Sequence, residues 1–590
     1  MINMRKLFKL VLITLLCFSP CVFAQDGDLE FTLDISSNTT PTPKIFKPNV
    51  DLGGRGFHQD NLYPQGLAAK EALDLWRKDI NFSGVYRLQY DLWEISQLAK
   101  DKAAQDKLLA NYEEVIKSIS DAGGTVILDI FGTPAGLGKA LDKKSAPLNL
   151  SVFKTLTKDK MRYLSCEKKY NIWYEVWSAP DLDDFFIGRE QDYFNIYRVI
   201  AENAKELGTQ FKINIPVGAP SPSGWFHNLK SNNILTPEKS LIYEFIKFCA
   251  AEKLPLDFIT WHAFSSDPKL EKEITIYNKN AVELIRDWLS YFNFKRDTPL
   301  IIDEWNFDLD ANMLPARRSK SYIAASYIPA RIKNMSEAGI DNQVYFSLED
   351  FGNNPENVTR NTGIFYFDSE RGQYKGGPKA IYNVFKMLSR LGPNLFALKL
   401  NDEFADVIAT RSSDGIAILI YNYIDPEISE NYLGRKIAGL NASERESLLQ
   451  IIRTGQLDKF IAHEQDIALL RVDPKVKALL TKSQELNDKS KQLLDSPRNL
   501  KISIKGIKDT YLYSRFAVDS TCGLNCEFKA VEEKEVAAID LYQEELKLTP
   551  YSVNLIILKK KPVPPPEPEK APVAPMPEPV KEVNKDGQGK

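Results

Sequence analysis

The sequence predicts an α/β protein: a (β/α)₈ TIM barrel followed by an all-β sandwich domain that carries a helical insertion. Three observations predict it. From residue 48 to 390, eight apolar runs rich in β-branched and aromatic residues alternate with amphipathic helical stretches, the pattern of a parallel sheet wrapped by helices. After 390 the texture changes to short runs of period two, which read as strands of a separate β-domain over 391–560. Within that domain, residues 426–497 are polar and helical in spacing.

Taken in chain order, residues 1–24 place Arg5 and Lys6 before an apolar run from Leu10 to Phe18, and Val22-Phe23-Ala24 reads as a signal peptidase site. The mature protein is therefore expected to be exported, periplasmic or extracellular. The run is short for a bilayer span and Pro20 interrupts it, and no later segment is long and apolar enough to cross a membrane. Residues 25–47 form an N-terminal segment in which Phe31–Ile35 has the spacing to join the later sheet. The eight barrel strands are expected at Val50–Gly56, Gly84–Gln89, Thr125–Phe131, Asn171–Trp177, Phe211–Gly218, Leu256–Phe264, Pro299–Trp305 and Gln343–Leu348.

Helices are expected at Gly66–Lys78, Asp106–Asp121, Gln191–Leu207, Pro237–Ala251, Ala281–Tyr291 and Lys320–Glu337, some ending at a glycine such as Gly123 or Gly339 that supplies a left-handed cap. The β-domain reads as strands at Ala405–Thr410, Ile416–Tyr421, Leu500–Ile504 and Tyr551–Leu558. In its insertion, Ser443-x-x-Glu446 reads as a capping box and Asp473-Pro474 as a helix start. Residues 561–590 are dominated by Pro, Glu and Lys and read as an extended, disordered tail. The insertion and the tail are the candidate contacts with an envelope surface or a partner.

The chain's 590 residues, 43% hydrophobic and 26% charged, suffice for a large core. Its 76 Lys and Arg nearly balance 79 Asp and Glu, so the formal charge of −3 supplies neither the basic footprint of a nucleic-acid binder nor a basic face for anionic lipid. The four histidines, His58, His227, His262 and His463, are scattered, so no metal and no other cofactor is expected. Cys522 and Cys526 frame a Gly-Leu-Asn loop that can close as a local disulfide, whereas Cys166 and Cys249 read as buried thiols whose pairing stays open.

A barrel of this type carries its chemistry at the carboxyl ends of its strands. Strand seven ends Ile301-Ile302-Asp303-Glu304-Trp305, and a buried strand that lifts Glu304 to the mouth suits the nucleophile of a retaining glycosidase. Asp303 is expected to point the opposite way, because strand side chains alternate. Trp177, Trp261 and Trp305 fall near strand ends, where flat rings either stack on sugars or fill the core.

Strand four ends Trp173-Tyr174-Glu175-Val176-Trp177-Ser178-Ala179-Pro180. Together with Glu304-Trp305, Asp257-Phe258-Ile259-Thr260-Trp261-His262, Val217-Gly218-Ala219-Pro220, Phe346-Ser347-Leu348-Glu349-Asp350 and Tyr551-Ser552-Val553, this resembles glycoside hydrolase family 39, whose members cleave β-xylosides, iduronides and biofilm exopolysaccharides. The resemblance implies Glu304 as nucleophile, with Arg87, Gln89, Glu175, Trp177, Ser178, His262, Phe264 and Trp305 around the substrate, a carbohydrate. It also shows departures. Where the family has Asn-Glu before Pro, this chain has Ser178-Ala179, so the acid/base carboxyl is lost at Ala179; Phe264 stands for a Tyr, and Gln89 for a His. Candidate replacement acids are Asp181, Asp183 or Asp184 just after strand four, and Glu349 or Asp350 on strand eight. Two functions follow as expectations: a glycosidase acting on an oligo- or polysaccharide with an impaired or relocated acid, or a catalytically inactive carbohydrate-binding protein of an exopolysaccharide or envelope assembly.

Overall fold

The computed structural model describes residues 29–54, 62–226, 236–307, 321–354, 357–370, 373–537 and 539–562, with positions 576, 579 and 580. The signal segment 1–24, His58, His227 and nearly all of the Pro-rich tail lie outside the described residues.

Eight parallel strands pair in chain order and close into a barrel. They are Val50–Asp51, Val85–Asp91, Thr125–Phe131, Ile172–Val176, Val217–Pro220, Phe258–Phe264, Leu300–Asn306 and Asn342–Tyr345, the last returning to the first through Tyr345 and Val50. Apolar side chains that alternate along the strands fill the barrel floor, where Val85, Ile127, Phe258, Ile301 and Val344 form one cluster. Helices pack outside, among them Lys70–Asp79, Lys102–Asp121, Leu150–Met161, Glu190–Phe211, Leu241–Glu252, Ala281–Tyr291 and Ser321–Ala338. Gly123 and Gly339 stand at φ +75° and +91°, the left-handed conformation their helix ends require.

Two expected boundaries move. Phe211 closes the long helix rather than opening strand five, because Lys212 adopts a left-handed cap at φ 55° and the strand begins only at Val217. The apolar alternation of Phe211, Ile213 and Ile215 imitates a strand but falls on a helix end and a loop. The capping box of the insertion is Asn441 with Glu444, not Ser443 with Glu446, since the Asn441 side chain accepts from the Glu444 N–H at 2.9 Å and the Glu444 carboxylate accepts from the Asn441 N–H at 2.8 Å.

The second layer system is a β-sandwich. Thr39–Pro41, Asn394–Phe396, Ala405–Arg411, Gly415–Asn422, Ser552–Lys560, Tyr511–Val518 and Ala530–Val536 form one antiparallel sheet in that order. Leu29–Asp34, Arg498–Ile507 and Ile539–Leu548 form the other, with the first pair parallel. Phe31, Leu33, Val407, Ile418, Ile502 and Ile556 meet in the core between them. Between the strands Gly415–Asn422 and Arg498–Ile507 lie the helices Ile428–Ile437, Ala442–Arg453, Gln456–Ile461 and Pro474–Asp495, the last capped by Asp473 with Pro474 in its first turn, around a small core of their own. Cys522 and Cys526 form a disulfide, while Cys166 and Cys249 are free and buried. No helix among the described residues is long and apolar enough to cross a membrane.

Candidate functional site

Above the apolar floor, the next inward position on strands two, three, four and seven is charged. Two residues beyond Val85, Ile127 and Ile301 come Arg87, Asp129 and Asp303, and Glu175 joins them from strand four in register with Asp129. Arg87 is buried at the centre. It donates from Nε to Glu175 Oε2 at 2.5 Å, from Nη1 to Asp51 Oδ2 at 3.1 Å and Glu304 Oε1 at 2.7 Å, and from Nη2 to Asp129 Oδ2 at 3.1 Å. Gln89, half-buried, donates to Asp129 at 3.4 Å.

Asp303 corrects the sequence expectation that it faces away from Glu304. Regular alternation from Ile301 turns Asp303 inward, and a bulge in strand seven then turns Glu304 inward as well: Trp261 pairs with Ile302 but His262 with Glu304, and on the other side Gln343 pairs with Ile302 but Tyr345 with Trp305, again leaving one residue of strand seven extra. Two adjacent carboxyls thereby share the barrel interior. Glu304 is 8% exposed, the others less. Its Oε1 also accepts from Ser178 Oγ at 3.3 Å and lies 3.6 Å from His262 Nε2. Ser221, just past strand five, donates to Asp303 Oδ2 and stands 2.9 Å from His262 Nε2.

Five carboxyls around one guanidinium cannot all be ionised cheaply out of water. Burial pushes Asp51 up to about 6, against the pull of Arg87 and with help from Glu304. Burial, then the neighbouring Glu175, drives Asp303 well above the carboxylate range, and burial does the same to Asp129. Burial would lower the Arg87 pKa, but Glu175, Glu304, Asp129 and Asp51 hold it well above its ordinary value. Burial and then the Arg87 charge depress His262 to about 3, so its imidazole is neutral near neutral pH. Asp129 Oδ1, Glu175 Oε1 and Asp303 Oδ1 are buried with no hydrogen-bond partner among the described residues. Among the described residues no group of His, Cys, Asp and Glu is arranged to hold a metal ion.

The rim where the acid was expected is built from strained backbone. Trp177, Ala179 and Ser221 have φ of 67°, 43° and 51°, a left-handed region that costs ~1–3 kcal/mol per non-glycine residue and gathers at functional sites. Ala179 is buried with its N–H donating to Ser221 O at 2.9 Å, and the Tyr193 hydroxyl ties the two strand ends by donating to Val176 O and Pro220 O. Position 179 thus lies on the same rim as Ser178 and Glu304, and carries only a methyl group.

The candidate replacement acids differ in surroundings. Asp181 accepts from Ser223 N at 2.9 Å and Ser223 Oγ at 2.5 Å. Asp183 and Asp184 are exposed in the same turn. Glu349 is buried and accepts from Ala69 N at 3.0 Å, and Asp350 is buried against Lys379 at 2.5 Å. None of these contacts places an acid beside Glu304. Phe264 is half-buried, edge-on to His262 with ring centres 6.2 Å apart.

The tryptophans are core, not sugar platforms. His262 faces inward, so Trp261 faces the helices, and the bulge gives Trp305 the same fate; Trp177, Trp261 and Trp305 are all fully buried. Trp177 packs on Phe131 and Phe186 and donates to Phe185 O, and Trp305 packs on Tyr327 and Tyr345 and donates to Gln343. Sequence reasoning overlooked Asp51, Asp129 and Ser221. A lone acid inside the apolar run of strand three was the available signal for Asp129, whereas nothing local marks Ser221.

Residues 156–430 match the model of Glycosyl hydrolases family 39. The chain is 26% identical over 265 residues to a β-xylosidase of Geobacillus stearothermophilus, covering 42% of this chain and 47% of that protein. It is 23% identical over 266 residues to one of Caldicellulosiruptor saccharolyticus, covering 43% and 49%. The chain spans about half the length of the curated relatives it matches. Among solved structures, the GH39 enzyme from Xanthomonas axonopodis pv. citri superposes with a TM-score of 0.60 at 15% identity, over 92% of this chain and 99% of that one. A monomeric β-xylosidase from Caulobacter crescentus CB15 superposes with a TM-score of 0.56 at 16% identity, over 90% and 99%. These likenesses share the barrel and its β-domain. Residues 156–430, the part similar to glycosyl hydrolases family 39, carry Glu175, Ala179, His262 and Glu304.

Proposed function

We propose that the protein is an exported glycosidase of retaining type that acts on an oligo- or polysaccharide with Glu304 as nucleophile and without a carboxyl at the acid/base position, Ala179. The observation that carries this reading is the Glu304 carboxylate at the barrel mouth, bound by Arg87 Nη1 at 2.7 Å and Ser178 Oγ at 3.3 Å inside a family 39 segment. In the first step Glu304 displaces the leaving group at the anomeric carbon and forms a glycosyl ester; in the second, water releases the sugar with retained configuration. The absent acid would have protonated the leaving oxygen and then activated water, help worth roughly 10²–10⁴-fold in each step. Leaving groups that depart as stable anions avoid the first loss. Names of the matched relatives support β-xylosides as the first substrates to try, and residues 1–24 support export.

The deciding experiment mixes the full chain with 2,4-dinitrophenyl β-xyloside and related activated glycosides. A burst of dinitrophenol, slow turnover accelerated by azide, and loss of both in Glu304→Gln are expected. Absence of a burst and of any covalent adduct at Glu304 across the panel favours a second reading, for which Ala179 itself argues: a carbohydrate-binding protein that keeps the cleft without the chemistry.

A further inference from the structure

Outside the barrel, between the helix Lys102–Asp121 and the end of the helix Leu150–Met161, lies a cavity of about 460 Å³. Its walls include Leu109, Ile116 and Leu164, with Tyr90 reaching it from barrel strand two. The helix Leu150–Met161 runs directly into a π-helical turn, Arg162–Glu167, which supplies Tyr163 and Leu164; such wide turns often mark functional positions. The size lies in the range of small-molecule sites.

The polar groups here are unequally satisfied. Asp106 is paired with Lys102 at 2.6 Å, Asp159 lies 3.6 Å from Arg162, and Glu113 accepts from Tyr163 and Tyr170 at 2.9 and 2.8 Å with Lys168 at 3.1 Å. Every carboxylate in the wall therefore has a partner. Among the described residues Lys160 makes neither a hydrogen bond nor an ion pair, and the hydroxyl of Tyr90, a residue 3% exposed, makes no hydrogen bond. Burial, then the nearby Lys102 charge, lowers the Lys160 pKa against the opposing pull of Asp106 and Asp159, neither of which is within ion-pair distance of it.

We propose that this cavity binds an organic monoanion with a flat apolar body, an aryl carboxylate, whose carboxylate pairs with Lys160 Nζ and the Tyr90 hydroxyl while its ring lies against Leu109, Ile116 and Leu164. Two unsatisfied donors beside an apolar wall match a ligand with two acceptor oxygens on a hydrophobic ring. The site is separate from the barrel mouth and does not depend on the activity proposed for it.

The test is calorimetric titration of the full chain with 2-naphthoate, its neutral counterpart 2-naphthamide, and acetate. Saturable binding of naphthoate at one site is expected, with naphthamide at least tenfold weaker and acetate giving no saturation. Lys160→Met should weaken naphthoate about tenfold or more, Tyr90→Phe, which keeps the ring, severalfold, and Glu304→Gln not at all. No saturable naphthoate binding, equal affinity for the amide, or unchanged affinity in both Lys160→Met and Tyr90→Phe with native circular dichroism overturns the proposal. Loss of binding in Glu304→Gln overturns it too, by moving the ligand to the barrel mouth.

Discussion

At the scale of single residues, Glu304 draws its character from what surrounds it: one guanidinium in direct contact, a serine hydroxyl, a neutral imidazole, and the methyl group of Ala179 on the same rim, where the proposed function lacks a second carboxyl. Restoring that carboxyl is the sharpest probe of the rim. Ala179→Glu is expected to raise kcat/KM on glycosides with poor leaving groups by roughly 10²-fold or more while leaving dinitrophenyl glycosides little changed, measured across a leaving-group series. His262 gives a second prediction. Burial and Arg87 hold its pKa at about 3 against an ordinary 6.5, so the folded state refuses a proton that the unfolded chain accepts. Its contribution to stability is full above about pH 6.5 and is lost as pH falls toward 3. His262→Gln should remove that slope, narrowing the fall in unfolding free energy between pH 6.5 and 4 by on the order of 3 kcal/mol in urea titrations. Asp51, raised to about 6, works in the opposite sense, since its contribution is full below its ordinary 3.8 and disappears as pH rises through 6.

At the scale of elements, one extra residue in strand seven and one inserted helix shape the mouth. The bulge brings Asp303 and Glu304 to one side, which regular pleating forbids. The helix Ile428–Ile437, entered through Glu427, clamps the loop that follows strand six. Ser266 donates to Glu427 at 2.5 Å and accepts from Asn431 at 2.9 Å, while buried Arg435 reaches Asp267 at 2.7 Å and Glu273 at 3.1 Å. Ser265 in the same loop donates its N–H to Asn306 O at 3.2 Å, at the end of the strand that carries Glu304. Removing Arg435 leaves buried Asp267 without its cation, so Arg435→Ala should cost ~3 kcal/mol in urea unfolding, and adding Asp267→Asn should recover part of that loss.

At the scale of the whole molecule, the chain's start and end are sewn into one sandwich around the barrel. Leu29–Asp34 lies parallel to Arg498–Ile507, and Thr39–Pro41 pairs with Asn394–Phe396, although the whole barrel separates these partners in sequence. The β-domain is thus incomplete without residues that precede the barrel. A chain beginning at residue 43 exposes the edge of Arg498–Ile507 and loses the buried Phe31 and Leu33, together worth roughly 4 kcal/mol. Lower melting temperature and increased light scattering relative to the full chain are expected.

The barrel was legible in the sequence, because eight apolar runs alternating with helical stretches leave few other ways to bury both faces of a parallel sheet. Its local motif singled out Glu304 at a strand end, and the family resemblance singled out Arg87, Glu175, His262 and the alanine at position 179. The rest depends on how the strands pair. Whether Asp303 faces in depends on a bulge defined by pairing with two neighbouring strands, and whether a tryptophan near a strand end meets solvent depends on which face the register turns outward. The cluster of Asp51, Asp129, Glu175 and Asp303 around Arg87 joins five strands, and Ser221 joins it from the end of a sixth. Contacts between elements distant in sequence leave no periodic trace, so they exist only once the barrel has closed.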